Sequence, residues 1–505
     1  MTSLHFRTLA ALSVAAVLAG CASAPPEQAE ASAPAQWRAP QVAGVAVLPH
    51  GGQVQQLLGW WQRWNDPLLV DLIDAAQQAS PTLAGAAARI AQARAGAVGA
   101  QAAMLPNLDA QAGVQRGTST LPGLVGSVVT TSQAGLQAQW ELDLFGGLRH
   151  GNRAAQARLQ GAQAQWHEAR VSLAADVANQ YFGLRSCRSS LDIAGADATS
   201  RAETARLTGQ MSKAGFTAPA THALAQAGAA QAQAQRTQIE AQCTAAVKAL
   251  VALTALDEDT LRSRLAAGRS GKAPGLALDS VPAAMLAQRP DVYAAAMAVA
   301  AASGDVGQAD AQRYPRLGLS GNIFRTRLDA PQFDLSSTTW SIGPLSLTLP
   351  LFDGGRRRAN VEAAKAQYEA AASQYRATVR NAVREVETAL SDLHAAQQRS
   401  SQTASAVAGF NKAFVAANAK YRAGMGSMLE LEDARRSLLA ARMAQATLER
   451  ETQAAWVALY RALGGGWEPA TNPTEADKAL VRSGEAARAA RSAASTPQSE
   501  TSLQP

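Results

Sequence analysis

Two stretches of this chain alternate between apolar positions and polar or glycine positions, with the period of two that predicts β-strands. Each stretch contains two such arms, and turn-forming residues lie midway between the arms, at 122–127 and at 330–334. An antiparallel hairpin reverses where turn residues lie, so the pattern predicts β-hairpins at about 105–145 and about 314–352. The alternating positions are Leu108, Ala110, Ala112 and Val114 with Ala134, Leu136, Ala138, Trp140, Leu142 and Leu144, and then Leu317, Leu319, Gly321 and Ile323 with Leu345, Leu347, Leu349 and Leu351.

The segments that follow the hairpins predict very long helices. No proline interrupts 152–213 or 356–422, and helices of this length span on the order of 90–100 Å. Each helix then reaches a glycine-containing break, at Gly215 in the first case and at Gly424 and Gly426 in the second. We therefore predict two helical hairpins with tips at about 215 and 424. A 4-3-4-3 coiled-coil spacing is visible at Val379, Val383, Val386, Leu390 and Leu393.

These elements recur in one order, which indicates a duplicated unit. Leu-Pro-Asn-Leu at 105–108 recurs as Tyr-Pro-Arg-Leu at 314–317, and Leu-Phe at 144–145 recurs at 351–352. Ala-Gly-Phe at 214–216 likewise recurs as Ala-Gly-Met at 423–425. The predicted organisation is a first repeat at 58–258, a connector at 259–281 and a second repeat at 282–467.

Four strands cannot close a membrane barrel alone, because an open edge in lipid leaves unpaired backbone groups that cost several kcal/mol each. Each predicted arm is about 20 residues long, which is ample for a membrane strand of about 9–11 residues. Two alternatives remain at this point. Either these are not membrane strands, or several copies share one barrel, in which case three copies supply twelve strands.

Two cysteines test the first helical hairpin. Cys187 and Cys243 are equally distant in sequence from Gly215, so two helices that reverse at Gly215 would bring them to the same height. The apolar run that follows His5 and Arg7 predicts export, and an exported protein meets an oxidising compartment. The hypothesis is therefore a disulfide that ties the two arms. The alternative is two unpaired, buried cysteines on different helix faces.

The N-terminal residues predict export. His5 and Arg7 precede a short apolar run, and small residues lead to Cys21, which is the pattern of a signal peptide at 1–20. The Leu-Ala-Gly-Cys stretch at 18–21 resembles the lipobox of bacterial lipoproteins, which would make Cys21 the lipidated N-terminus. The alternative is an ordinary signal with an incidental cysteine. Residues 21–57 predict a tether and residues 468–505 a disordered tail.

Composition and charge exclude some functions. The net charge of +7 is mild for 505 residues, and the basic residues are spread along the chain rather than gathered in one stripe, so no nucleic-acid partner is expected. The sequence has no phosphate-binding loop, catalytic serine motif or paired metal-ligand motif. We therefore expect no catalytic residues, no metal site and no cofactor.

Several stretches together resemble one family, the TolC-like outer membrane factors, and specifically the NodT-type efflux lipoproteins. They are 61–67 (Trp-Gln-Arg-Trp-Asn-Asp-Pro), 105–108, the two Leu-Phe junctions, 288–292 (Gln-Arg-Pro-Asp-Val) and 421–424 (Tyr-Arg-Ala-Gly). The resemblance implies a fold that is mainly α with membrane β: a duplicated unit with four strands per chain of a shared 12-stranded trimeric β-barrel, and a long periplasmic α-helical coiled-coil barrel. It implies a lipid-anchored outer membrane channel that extends into the periplasm. The implied partners are two further copies, outer membrane lipid, a periplasmic adaptor and an inner-membrane transporter.

The resemblance also implies a gate at the second tip. Family members constrict the periplasmic end with a tyrosine and two acids three residues apart, which match Tyr421, Glu430 and Asp433 here. Positions i and i+3 share a helix face, so a trimer would carry a ring of six carboxylates, which favours cations. The alternative is a solvated helix face. An arginine–aspartate latch of some members is absent, because Gly426 and Thr221 occupy its two positions.

The resemblance assigns the adaptor contacts to the two helical tips. The residues concerned are Gly215, Phe216 and Thr217, and Gly424, Met425 and Gly426. The predicted function is the exit duct of a tripartite efflux system that passes small molecules or drugs to the outside. Two alternatives are kept: a periplasmic adaptor or structural coiled-coil lipoprotein, and a type I secretion channel that exports a polypeptide.

Overall fold

The computed structural model describes residues 59–118, 126–267, 286, 288–330 and 333–467. The predicted signal peptide, Cys21, the tether, the tail and most of the connector lie outside the described residues, as does the turn between the first two strands. Two runs of elements follow each other in the same order. The first is α1 (Pro67–Ala79), α2 (Pro81–Ala102), β1 (Asn107–Thr118), β2 (Val128–Leu142), α3 (Gly147–Lys213), α4 (Pro219–Thr254) and α5 (Glu258–Ala267); the second is α6 (Pro290–Ala311), β3 (Arg316–Ala330), β4 (Phe333–Thr348), α7 (Arg356–Arg422) and α8 (Met428–Ala462).

The chain divides into two compact units, and each is described by itself. The strand unit contains residues 88–164 and 293–378, and the tip unit contains residues 59–87, 165–292 and 379–467 among those described. In the strand unit, β1 to β4 form one antiparallel sheet in chain order. The second strand of one repeat therefore pairs with the first strand of the next, with Leu142 opposite Leu317. Among the described strands, β1 and β4 are the two edges of the sheet.

The two faces of the sheet differ in chemistry because side chains alternate along each strand. The register places Leu136 and Trp340 on either side of Ile323, on one face. It places Gln137 and Ser341 on either side of Asn322, on the other face. Trp340 and Ile342 are exposed although they are large and apolar. In the half of the sheet nearer the helices, this pattern, apolar on one face and polar on the other, is that of a strand array between lipid and an aqueous channel. Nearer the strand turns, the second face also carries Phe324, Leu328 and Leu335.

Each strand-to-helix junction carries an aspartate that caps the long helix. Asp143 accepts hydrogen bonds from the backbone nitrogens of Leu148 and Arg149 at 3.2 and 2.9 Å. Asp353 accepts from the backbone nitrogens of Gly355 and Arg357 at 3.0 and 3.1 Å. A carboxylate at a helix N-terminus is stabilised by the helix dipole. The same aspartates bind the guanidinium groups of Arg149 and Arg357 at 3.2 and 2.8 Å, which explains cations in a first helical turn that otherwise opposes them.

In the tip unit, aromatic side chains pack where the first residues meet α3 and α8. Trp60 and Trp64 are fully buried, and the ring of Trp64 lies 4.6 Å from that of Phe182. Asp66 caps α1 at Leu69 and is itself buried, where it accepts from the Tyr181 hydroxyl at 2.7 Å and from Arg185 at 3.1 Å. A buried carboxylate requires such partners, so this contact fixes the entry of the chain onto α3.

The long helices have the predicted extent. Both α3 and α7 contain 67 residues, which corresponds to about 100 Å at 1.5 Å per residue. Of the predicted seam on α7, Val379, Val386, Leu390 and Leu393 are buried and Val383 is half-buried. Within the described residues, no single helix has the length and apolar character needed to cross a membrane, although the bent pair α4 and α5 meets both criteria together.

Candidate functional site

The two helical tips reverse the chain through the same backbone motif. After α3, Gly215 has φ +79°, and the backbone nitrogens of Gly215 and Phe216 donate to the carbonyls of Ser212 and Met211 at 3.1 and 2.8 Å. These two bonds define a Schellman motif, in which a left-handed residue ends the helix. Glycine occupies the left-handed position because it lacks the Cβ that disfavours it.

The second tip repeats this geometry 209 residues later. Gly424 has φ +73°, and the nitrogens of Gly424 and Met425 donate to the carbonyls of Tyr421 and Lys420 at 3.1 and 2.9 Å. The returning helix α8 then begins with a side-chain cap, because the Ser427 hydroxyl accepts from the backbone nitrogen of Glu430 at 3.1 Å. The duplication thus extends to individual hydrogen bonds.

Large apolar side chains project from both tips. Phe216 and Met425 are 80% and 77% exposed, which is unusual for residues of this size. Of the other predicted contact residues, Gly215 and Gly424 form the turns, and Thr217 is half-buried. Gly426 lies close to α7, because a Cβ added to it would lie 3.0 Å from the Cβ of Lys420. The predicted contact residues are therefore adjacent in space at each tip, and the two apolar ends lie uncovered in the single chain.

The structure places the three predicted gate residues at the start of α8 and the end of α7. Tyr421 packs against a cluster of Ala205, Ala225, Met428 and Leu431, and burial raises the pKa of its hydroxyl. Glu430 and Asp433 are exposed. Each has a cation of its own chain beside it: the Lys420 Nζ lies 3.4 Å from Glu430, and the Arg436 Nη2 lies 2.6 Å from Asp433. These cations reduce the negative charge that a ring of such acids would carry.

A second group of charges, which the sequence analysis did not identify, lies inside the tip unit between α3 and α8. Arg435 is 4% exposed and binds Glu432 on its own helix. It also donates to the hydroxyls of Ser200 and Thr204 on α3, at 3.1 and 3.0 Å. Arg201 on α3 completes the group. It contacts Glu432 at 2.5 Å and Asp197 at 2.9 Å.

The buried charges join the first helical hairpin to the second. Burial lowers the pKa of the Arg435 guanidinium, and the charge of Glu432 opposes that shift. By the described hydrogen bonds and ion pairs, Glu432 is the member of the group that contacts both arginines, so it is the central member. The signal in the sequence was the i, i+3 spacing of Glu432 and Arg435, but it does not separate a buried pair from a solvated one.

The two cysteines predicted to pair lie on α3 and α4. Cys187 and Cys243 form a disulfide with their Cα atoms 5.6 Å apart, which is an ordinary separation for such a bond. The disulfide ties the two arms of the first hairpin about 28 residues from its tip. Among the described residues, no group of three His, Cys, Asp or Glu side chains is arranged to hold a metal ion.

The Arg-Pro-Asp stretch at 289–291 organises the far end of the tip unit. The buried Arg289 donates to the carbonyl of Ala462 at 2.9 Å and contacts Asp291 and Glu385 at 2.7 and 2.8 Å. It therefore connects the end of α8 with α7 and with the start of α6. Nearby, burial and then the charge of Arg170 lower the pKa of His167 to about 4.

Comparison with known proteins shows which families and solved structures this chain is similar to. The family model described as outer membrane efflux protein matches residues 72–256 and 281–465. The pyoverdine export outer membrane protein OpmQ of Pseudomonas putida is 31% identical over 93% of this chain and 99% of its own. Nodulation protein T of Rhizobium leguminosarum bv. viciae is 28% identical over 92% and 94%. The solved outer-membrane channel OprN is 30% identical, with a TM-score of 0.76 over 88% of this chain and 100% of its own.

Proposed function

We propose that this chain, which belongs to the outer membrane efflux protein family and is the outer membrane channel of an efflux system, closes its duct as a homotrimer. In the proposed assembly it takes small-molecule cargo from an inner-membrane transporter through a periplasmic adaptor. The family membership confirms the resemblance and the TolC-like fold. It also rules out the adaptor and scaffold alternative.

One observation supports pairing between copies in the proposed trimer. The Phe145 ring stacks on Tyr314, with centroids 5.0 Å apart, where the second strand of one repeat meets the first strand of the next. The equivalent residues at the outer edges are Phe352 and Leu105, which are 93% and 62% exposed. Repeating the β2–β3 pairing between chains would place Phe352 of one copy on Leu105 of the next copy. A ring of copies closed in this way leaves no strand edge in lipid, and the three copies of the proposed trimer would contribute twelve strands.

A cross-linking experiment in native outer membranes tests this seam. Leu105→Cys with Phe352→Cys should give covalent dimers and trimers on oxidation. The control is Leu105→Cys with Trp340→Cys, because Trp340 is also exposed but lies within β4, twelve residues before Phe352, which follows the end of that strand. Only monomer from the first pair, or equal cross-linking from both pairs, would contradict the proposal.

The gate proposal places Tyr421, Glu430 and Asp433 of three copies around the periplasmic opening. Two features support it: both acids are exposed, and they lie in the first turns of the helix that follows the tip. Glu430→Lys with Asp433→Lys should shift the channel from cation toward anion preference in bilayer recordings. The control is Asp192→Lys with Glu240→Lys, which changes the charge equally at exposed sites more than 20 residues from the tips. Unchanged selectivity in the first variant would refute the ring.

The adaptor proposal rests on the exposed tips. Phe216 and Met425 are the largest uncovered apolar side chains there, and exposed apolar patches mark interaction sites. Phe216→Ser with Met425→Ser should abolish efflux-dependent resistance while the trimer still forms in the outer membrane. Normal resistance would place the docking surface elsewhere. If the same variant also stopped excreting a polypeptide that the wild-type cells excrete, the secretion channel would be favoured instead.

The proposed lipid anchor is Cys21, which lies outside the described residues. The support is the Leu-Ala-Gly-Cys stretch at 18–21. The mature protein should begin at Cys21 and carry acyl chains, including palmitate, in intact mass spectrometry. Cys21→Ser should lack this added mass, and the same mass for both proteins would contradict the assignment.

A further inference from the structure

The apolar face of the sheet ends in arginines on β3, at the end where the strands turn. Arg325 and Arg327 follow Ile323 at intervals of two and therefore lie on the same face as Ile323 and Leu319. On β3 and β4, the large apolar side chains of this face lie at Ile323 and Trp340 or beyond them, toward the helices. On β3 and β4 the arginines thus mark the boundary of the apolar surface, whereas on β1 the exposed Val114 lies in the row of Arg327.

The apolar surface that they border is continuous across neighbouring strands. Trp340 lies next to Ile323 in the register and is 71% exposed, in the place where membrane strands carry an aromatic girdle. Thr338, two residues before Trp340 on β4, is opposite Arg325. The tryptophan and the first arginine therefore lie in adjacent rows of this face. Three further rows of residues that lie opposite one another on neighbouring strands continue this face toward the helices. In order, they contain Leu108, Ala138, Gly321 and Ile342; then Trp140, Leu319 and Leu345; and then Leu142, Leu317 and Leu347.

Arg325 is surrounded by small residues. Its neighbours in the register are Ala134 on β2 and Thr338 on β4, and neither carries a charge. Within the part of the chain that the structure describes, Arg325 has no carboxylate or carbonyl partner, and its side chain is exposed. Arg327, one row further, binds Asp334, with the Arg327 Nε 3.0 Å from Asp334 Oδ1. The arginine without a described partner is therefore the one nearer the apolar surface.

The orientation of the sheet follows from its helices. Both long helices start at the end of the sheet that is opposite the arginines, at Gly147 and Arg356. The family to which the chain belongs extends its helices into the periplasm. The arginine end of the apolar face consequently lies at the outer leaflet of the outer membrane.

We propose that Arg325, assisted by Arg327, binds the phosphate groups of phosphorylated glycolipids in the outer leaflet. A guanidinium group forms two parallel hydrogen bonds with a phosphate, and the acyl chains of the same lipid would lie on the apolar rows beside Trp340. An arginine at the edge of the lipid layer costs little to place there, and an anionic headgroup then attracts it. The inference rests on the outer membrane location and does not require the proposed gate or adaptor.

The test measures lipid retention by the full-length trimer in detergent. Purified, delipidated protein is titrated with bis-phosphorylated lipid A, with its dephosphorylated form and with inorganic phosphate, and bound lipid is counted by native mass spectrometry. Arg325→Gln should weaken binding of bis-phosphorylated lipid A about fivefold, the value expected for one cation near an anionic headgroup. Binding of the dephosphorylated form should be unchanged. Arg325→Lys should lie between the wild-type protein and Arg325→Gln.

Arg376→Gln is the matched control, because Arg376 is an exposed arginine of the strand unit that lies on α7 instead of the sheet. An equal loss in the control, or an equal loss for both lipid forms, would overturn the assignment. Displacement of the lipid by millimolar inorganic phosphate would identify a free-anion site instead. The trimer mass is read from the same spectra, so absence of the trimer would count against the proposed function, whereas an intact trimer with unchanged lipid binding would count only against this inference.

Discussion

The buried charges between α3 and α8 give a sharp prediction for Glu432→Gln. The substitution keeps the size of the side chain but removes the carboxylate from Arg435, whose side chain is 5% exposed. Arg435 then keeps its hydrogen bonds to the hydroxyls of Ser200 and Thr204 but contacts no carboxylate, whereas Arg201 still has Asp197. Breaking one partner of a buried pair costs about 3–5 kcal/mol. Because the Glu432 side chain is 16% exposed, we expect the lower end of that range, about 3 kcal/mol.

This loss should appear locally rather than as a shift in global unfolding. A long helical assembly opens in parts, so the suitable assay is hydrogen exchange of the amides at 428–436 in the intact protein. Glu203→Gln is the control, because Glu203 forms an i, i+3 pair with Arg206 on α3 that is half exposed. We expect no measurable change in exchange for this control.

A third variant tests the reasoning itself. Arg435→Met should cost less than Glu432→Gln, because Glu432 keeps Arg201 at 2.5 Å when Arg435 is removed. If Arg435→Met were the more damaging change, or if Glu432→Gln exchanged like Glu203→Gln, the central role of Glu432 would be wrong.

Three further predictions concern the tip unit, and one of them uses an ion pair of the strand unit as its control. Cys187→Ser with Cys243→Ser should destabilise the first helical hairpin by about 2–4 kcal/mol; the wild-type protein in reductant should match this variant, and the variant should not respond to reductant. Arg289→Met should cost about 3–5 kcal/mol, because it leaves Glu385 and Asp291 without their buried cation, whereas Arg313→Met, at a half-exposed pair, should alter the melting temperature little. His167 has a pKa of about 4 in the folded protein and an ordinary value near 6.5 when unfolded. The unfolded chain therefore binds the proton more tightly, and stability should fall from pH 6.5 to 4 by at most about 3 kcal/mol; His167→Phe should flatten that part of the pH profile, and an unchanged profile would contradict the burial argument.

Elements and repeats followed from the sequence because their signals are local. Alternation over 108–114 and 317–323 identifies strands, and the spacing of Val379 to Leu393 identifies a buried helix face. Glycine after each long helix marks the tips for a physical reason, since both have positive φ. None of these conclusions depends on contacts between distant residues.

The buried charges could not be predicted in this way. Arg435 continues the 3-4-3 spacing of the buried Met428, Leu431 and Leu438, but the sequence does not show which partners a buried arginine would have. Arg201, which contacts Glu432, is 231 residues away from it in sequence. The first-turn arginines show the same limit on a shorter scale. Asp143 and Asp353 precede them by six and four residues, but a carboxylate that turns back to cap a helix is not evident from charge spacing alone.

The two copies of the duplicated unit share the backbone conformation of their tips but differ in the charged side chains near them. At the offset of 209, Glu432 and Arg435 on α8 correspond to Ala223 and Gln226 on α4, and Asp197 and Arg201 on α3 correspond to Ala406 and Phe410 on α7. All four charged residues of the ionic contact therefore correspond to uncharged residues in the other copy.

This difference between the two copies has a consequence for the proposed trimer. The contact of α3 with α8 lies within one chain, and repetition of the same arrangement around a ring would place α7 of one copy against α4 of the next copy. Phe410 on α7 and Leu224 on α4 are large, apolar and 42% and 59% exposed in the single chain. At the corresponding positions, the contact within a chain would then be ionic and the contact between chains apolar. Salt weakens exposed ionic contacts and leaves apolar ones intact, so the seams between chains should persist in high salt, and Phe410→Ser should loosen the tips without disturbing the α3–α8 contact.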